Sequence, residues 1–281
     1  MARMLKTVLS ETLSAEETAS LYSSFDIIGN VVIIKISDAL AAKKSLIGES
    51  ILEEIKSVKS VFAQISSVKG DYRLRDLEHI AGENNTLVEY REHGCRFRVD
   101  LINTYFSPRL STERLRIANL TSDNEVITNM FAGVGTFSII IAKMHSRCKV
   151  FNIDINPVAI ELSMSNSNLN GVESQVIPIL GDAKDVITRD IRSQADRVLM
   201  PLPEKANEYI DWAVRALKDR GGIIHYFAHL KALGKKYALE QSLLDAKAAF
   251  SNYDIEVRFS RVVREVGPRL YQVVTDVYVR K

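Results

Sequence analysis

Two cysteines, Cys95 and Cys148, are all that 281 residues contain, so neither a disulfide framework nor a cysteine-rich zinc site can be built. Buried free thiols in a reducing cytoplasm are the expectation. No stretch approaches the roughly eighteen consecutive apolar residues of a membrane span, and no signal-peptide run is visible. Neither sign of charge dominates. The formal net charge of +2 does not announce nucleic-acid binding, but it is compatible with a local basic face. Two nucleotide signatures are also missing. The phosphate cradle G-x-x-x-x-G-K-[ST] does not occur, and G-x-G-x-x-G fails at its third glycine, where Ser138 stands. No Cys-x-x-Cys pair, internal repeat or low-complexity tract is present.

What remains is an ordinary globular composition, 46% hydrophobic and 26% charged. Its most informative stretch is Asn129-Met-Phe131-Ala132-Gly133-Val134-Gly135-Thr-Phe137. It leaves an apolar strand-like run, turns on two glycines and enters a helix-like run. The next strand, Val150 to Asp154, ends in an acid about twenty residues after the glycines, where a carboxylate can accept both hydroxyls of a ribose. A third strand ends in Gly181-Asp182. A tight turn without any ligand is the plain alternative for the glycines alone. Together the three strand ends favour a nucleoside-containing cofactor, and the lack of a pyrophosphate fingerprint suits S-adenosylmethionine.

The first third reads as a small α+β unit. Ser10 to Glu17 resembles a short capped helix, Phe25 to Ile36 two strands around Gly29-Asn30, Lys43 to Lys56 a helix, and Ser60 to Ile65 a strand. Thr86–Glu92 and Cys95–Asp100 alternate about His93-Gly94 as a hairpin. From about residue 104, strand-length and helix-length runs alternate, which predicts a doubly wound, mostly parallel sheet closed by an antiparallel hairpin through Gly267-Pro268. The expected domains are 1–103 and 104–281.

Three further segments carry candidate chemistry. Pro201-Leu202-Pro203 follows a strand and precedes a helix. Such a stiff loop can present carbonyls to an amine, or be only a strand-to-helix turn. Tyr105-Phe-Ser-Pro-Arg109-Leu-Ser-Thr-Glu113-Arg114-Leu-Arg116 is either a solvated helix face or a site with Glu113 as general base and arginines for phosphate. Gly70-Asp-Tyr-Arg73-Leu-Arg75-Asp-Leu-Glu-His79 is a basic aromatic cluster that can bind RNA, or plain surface.

These motifs together resemble the archaeal and eukaryotic tRNA (guanine-37-N1)-methyltransferase family, from about residue 25 to the C-terminus. The resemblance implies a Rossmann-like class I methyltransferase domain after a small tRNA-facing α+β domain, with an additional N-terminal domain of many members absent. It implies methyl transfer from S-adenosylmethionine to N1 of guanine 37, with the tRNA anticodon stem-loop region as partner and a monomer in the cytoplasm. By position, Glu113 matches the general base and Arg73 the arginine at guanine O6. Tyr105 and Arg109 match residues near the cofactor and base, Phe131 to Gly135 the cofactor loop, Asp154 and Ile155 the ribose end, Asp182 and Ala183 the adenine side. Pro201, Leu202 and Pro203 stand in the family's Asn-Leu-Pro loop. Two positions depart: Pro201 replaces that asparagine, and Asn129 replaces an aspartate. Aminocarboxypropyl transfer to a wyosine-type base at position 37, by the sister family, is the second expectation. A non-catalytic RNA-binding relative is the third. The chemistry calls for no metal, because the sulfonium already activates the methyl group.

Overall fold

The computed structural model describes residues 7–9, 13–22, 24–66 and 68–281. The chain divides into two compact units, Met1–Pro108 and Arg109–Lys281, where the sequence suggested a division after residue 103. Among the described residues no helix is long and apolar enough to cross a membrane.

In the first unit, helix α1 (Ala15–Ser20) is capped by Ser14, whose hydroxyl accepts from the Glu17 N–H while the Glu17 carboxylate accepts from the Ser14 N–H. Ser10, Glu11 and Thr12 of the expected capped helix lie outside the described residues. Strands β1 (Phe25–Ile28) and β2 (Val31–Ile34) flank Gly29, at φ 60°. Helix α2 (Lys44–Glu54) then crosses over to β3 (Ser60–Gln64), parallel to β2, and β4 (Leu77–Gly82) completes the sheet in the order β1-β2-β3-β4. Leu40, Ile47 and Ile51 pack with Val32, Ile34 and Val61 as its core. Strands β5 (Leu87–Glu92) and β6 (Cys95–Asp100) form the hairpin, its His93-Gly94 turn at φ 48° and 75°.

The second unit opens with α3 (Ser111–Leu120). It continues through β7 (Val126–Asn129), α4 (Thr136–Met144), β8 (Lys149–Asp154), α5 (Pro157–Asn170), β9 (Val176–Leu180), α6 (Ala183–Val186) and β10 (Arg197–Met200). It ends with α7 (Ile210–Ala216), β11 (Gly222–Lys231), α8 (Lys235–Ala249), β12 (Asp254–Gly267) and β13 (Leu270–Arg280). The seven strands take the order β12-β13-β11-β10-β7-β8-β9. Strands β7 to β11 run parallel, and β13 and β12 close one edge antiparallel. The order reverses at β7, so the carboxyl ends of β7, β8 and β10 flank one crevice.

Candidate cofactor edge and buried carboxylate

The carboxyl ends of four strands assemble the sequence-predicted loops. After β7 the chain is tied to both neighbours: the Met130 N–H donates to the Leu199 carbonyl of β10 and the Ala132 N–H to Ile153 of β8. Gly133 and Gly135 follow with φ of 56° and 87°, and α4 begins at Thr136. A Cβ on Gly135 would lie 2.7 Å from the Ser163 hydroxyl of α5, so helix packing as well as backbone conformation demands glycine there. Asp154 ends β8. Its Oδ2 accepts from the Gly133 N–H at 2.6 Å and its Oδ1 from the Asn156 N–H at 2.9 Å, so the acid joins the two loops. Burial raises its carboxyl above the ordinary range, and the N–H groups of Asn156, Gly133 and Ile155 pull it back. Two oxygens offer about four lone-pair sites, so the carboxylate keeps acceptor capacity beyond these N–H groups. Beside it the Ile155 side chain is exposed.

Asp182 caps α6: its Oδ1 accepts from the Lys184 N–H, and its Oδ2 from the Tyr209 hydroxyl at 2.9 Å. Tyr209 packs edge-on against Phe131, and the Lys184 ammonium stands over both Tyr209 and Trp212. Ala183 and Leu202 are buried. In the Pro201-Leu202-Pro203 loop the Leu202 carbonyl already accepts from the N–H groups of Lys205 and Ala206, so it is committed within the loop instead of being offered to an amine. Asn129 is fully buried, and its amide donates to the Ser138 hydroxyl at 3.1 Å.

Glu113 lies in the first turn of α3. The Arg114 guanidinium packs over Phe137 in the first turn of α4, and His145 beyond the end of α4 bonds the Ala118 carbonyl near the end of α3. The two helices therefore run side by side in one direction. Because α4 starts at the glycine turn, the Glu113 turn is at the cofactor edge. Glu113 is only 1% exposed. Its Oε1 takes Nε and Nη2 of Arg116 at 2.8 and 2.7 Å, and Nη1 of Arg261 stands 3.6 Å from Oε2. Oε2 has no hydrogen bond among the described residues. Burial raises the Glu113 carboxyl despite both arginines.

Arg116 continues the network. Its Nη1 and Nη2 form a bidentate pair with Asp276 at 2.7 and 3.0 Å. Asp276 accepts from Nδ1–H of His225 at 2.6 Å, and His225 Nε2 accepts from Arg197, which is itself paired with Glu125. A cavity of about 550 Å³ opens beside Arg116, Arg197 and His225. The solvated helix face considered for this segment is thus corrected. Arg114 is 2% exposed and Arg116 is clamped between carboxylates, because α3 packs on the sheet. His225 and His229, spaced as i and i+4, lie on a strand about 13 Å apart, too far to share one metal ion.

The remaining predicted residues are distributed by unit. Arg109 is exposed at the start of the second. Arg73 and Tyr105 belong to the first, where the Arg73 guanidinium stands 4.7 Å above the Tyr105 ring. Arg73 adopts φ 56° in a turn whose N–H returns to the Gly70 carbonyl. A non-glycine residue in that region carries strain, and strained residues concentrate at functional sites.

Residues 88–257 match the TRM5/TYW2 methyltransferase domain, and residues 5–86 match the TYW2 N-terminal domain. The chain belongs to the TRM5/TYW2 methyltransferase family. A Pyrococcus abyssi relative, tRNA (guanine(37)-N(1))-methyltransferase Trm5b, is 42% identical over 90% of this chain and 74% of its own length. A Saccharolobus solfataricus relative, tRNA 4-demethylwyosine(37)-methyltransferase Taw21, is 33% identical over 93% of this chain and 96% of its own. Among solved structures, the complex of aTrm5 and tRNALeu superposes with a TM-score of 0.84 at 38% identity, covering 100% of this chain and 79% of that one.

Sequence reasoning about this TRM5/TYW2 member missed Tyr209, Trp212 and Lys184, which wall the Asp182 side of the cofactor edge. They belong to no motif, and only the fold brings them there. It also missed Asp276 and His225, on the closing strands of the sheet.

Proposed function

We propose that this chain transfers a methyl group from S-adenosylmethionine to N1 of guanine 37 in tRNA. The observation that carries the reading is Glu113: a carboxylate at the cofactor edge, raised by burial, with one oxygen lacking a hydrogen bond among the described residues. Guanine N1 is a weak nucleophile until its proton leaves, and such a group can take that proton. The high identity to guanine-37-N1 methyltransferases over most of both chains supports the same substrate. S-adenosylmethionine supplies, when bound, a methyl activated on a sulfonium.

The residues present suit that cofactor. Asp154 is proposed to hold the ribose hydroxyls, with Ile155 beside it. Asp182 and Ala183 mark the adenine side, Phe131 to Gly135 the loop beneath, and Pro201 to Pro203 the methionine side. Glu113 accepts the proton. Arg73, on its sequence match, stabilises the negative charge growing on O6, which is worth more in the transition state than before it. Tyr105 and Arg109 are proposed, on the same basis, as neighbours of cofactor and base.

Aminocarboxypropyl transfer is kept as a second reading because residues 5–86 match the TYW2 N-terminal domain. One experiment separates the two. tRNA transcripts with guanine or adenine at position 37, and the same tRNA carrying a wyosine-type base there, are incubated with cofactor labelled in the methyl or in the carboxyl carbon. Methyl label entering only the guanine-37 transcript is the expected result, and Glu113→Gln should slow it by about 10²–10⁴-fold. Carboxyl label in tRNA would establish the second reading. No label in any of these tRNAs would remove both.

A further inference from the structure

Glu113 is held from one side only. Its Oε1 accepts from Arg116 Nε–H and pairs with Nη2 at 2.7 Å, while its Oε2 takes no hydrogen bond among the described residues and stands 3.6 Å from Arg261. Two cations facing one carboxylate would stabilise its charge and drain its proton affinity. Asp276 changes that balance. It occupies the remaining edge of the same guanidinium through Nη1 and Nη2. His225 fixes Asp276 in turn: its Nδ1–H donates to Asp276 while its Nε2 accepts from Arg197. One ring nitrogen donating and the other accepting is the neutral imidazole, so His225 adds no cation to the cluster. Among the described residues, the charged or titratable groups about Glu113 are Arg116 on its own helix, Arg261 on β12 and Asp276 on β13, with His225 on β11 behind Asp276.

We infer that Asp276, oriented by His225, is a positioning residue for proton abstraction: it takes up the charge of Arg116, so that Arg116 can fix Glu113 Oε1 without suppressing the basicity of Oε2. This rests on the reading of Glu113 as the base. The arrangement solves a conflict. A buried carboxylate needs donors to be stable, but each cationic donor weakens it as a base. A guanidinium shared between two carboxylates supplies the donors at half the charge. Asp276 is the carboxylate that can be ionised throughout, because the hydrogen bonds of His225 and Arg116 outweigh its burial and hold it below the ordinary range. Glu113 shifts the other way.

The test uses two substitutions of opposite expected sign. Asp276→Asn leaves Glu113 facing two uncompensated cations, and its titration midpoint should fall by about one pH unit. Arg116→Gln leaves Glu113 facing Asp276, and the midpoint should rise by about one unit. The readout is carboxyl-carbon NMR of glutamate-labelled full-length protein, with the Glu113 signal assigned by its loss in Glu113→Gln. The acid limb of single-turnover methyl transfer against pH should move in the same two directions, and the Asp276→Asn rate near pH 7 should fall by up to about tenfold. A structural role alone would lower the folded fraction without moving midpoints in opposite directions. Superimposable Glu113 titrations in wild type and Asp276→Asn would overturn the inference. Should Asp276→Asn fail to fold, an undisplaced midpoint in Arg116→Gln would overturn it. Displaced midpoints in a protein that transfers no methyl group would instead strike the proposed function, since the NMR readout needs no activity.

Discussion

Asp154→Ala tests the cofactor edge most directly, because the side chain has two separable duties. The first is internal: its carboxylate accepts the Gly133 and Asn156 N–H groups at 2.6 and 2.9 Å. Removing a partner from part-buried N–H groups costs about 1–3 kcal/mol. Water can reach this edge and satisfy some of them, so the lower half of that range is expected, a fall in Tm of about 2–8 °C for a unit of this size. The second duty is the proposed grip on two ribose hydroxyls. Hydrogen bonds to a charged acceptor contribute about 1.5–3 kcal/mol, so cofactor affinity should fall by about 10- to 150-fold. Asp154→Asn separates the duties. Its amide oxygen still accepts one N–H, but the amide nitrogen would oppose the other, and the charge is gone. Isothermal titration calorimetry with S-adenosylhomocysteine gives the affinity, and thermal melts give the stability. Unchanged affinity alongside a lower Tm would refute the ribose assignment and leave Asp154 as a loop tie only.

The remaining predictions concern stability and RNA. Burial lowers the His225 pKa, so the folded protein resists its protonation; stability should be full above the unfolded value near 6.5 and decline as pH falls below it, and this component of the Tm profile between pH 7.5 and 5 should be absent in His225→Gln. Gly135→Ala places a Cβ 2.7 Å from Ser163 Oγ at φ 87°, and should cost about 1–3 kcal/mol in denaturant titrations; a denaturation midpoint unchanged within error would contradict the packing argument. With Arg114 buried and Arg116 clamped, Arg109 is the exposed cation of its segment, and Arg109→Gln should reduce the log–log salt slope of tRNA binding by about 0.7; an unchanged slope would take it off the RNA path.

What the sequence makes legible is local. Gly29-Asn30 and His93-Gly94 place their hairpins because positive φ is concentrated in few residue types. The glycine turn, Asp154 and Asp182 come together because strand ends in a doubly wound sheet share an edge. Other elements stay hidden for physical reasons. Strand β4 begins within the segment that reads as a basic aromatic cluster, since Leu77, Glu78 and His79 alternate weakly. Helix α8 buries small residues, Ala238, Ser242 and Ala246, while Leu243 and Leu244 face outward, so its apolar period points the wrong way. The charge network is the largest omission. Arg116 meets Asp276 across 160 residues, and no spacing rule reports a pair of that kind.

The two family departures have different structural weight. Asn129 is fully buried on β7 opposite Asn152 of β8, and each donates its amide to a serine of the next helix, Ser138 on α4 and Ser163 on α5. The two Asn–Ser pairs therefore join strands to helices directly under the cofactor loops. A carboxylate at 129 would be a buried charge there, and the ion pairs described for this unit place no cation on it. Ser138 is also the residue that replaces the third glycine of a dinucleotide fingerprint, so one substitution supplies the partner for the other. Asn129 thus ties β7 to α4 through its amide nitrogen, while its Oδ1 takes no hydrogen bond among the described residues. Pro201 lacks such a partner: it removes both an amide side chain and a backbone N–H from the loop after β10, and the Leu202 carbonyl next to it is already used. At Pro201 the amide contacts of the family's asparagine would be lost, while Asp154, Asp182 and Glu113 retain the acids on which the proposed chemistry depends.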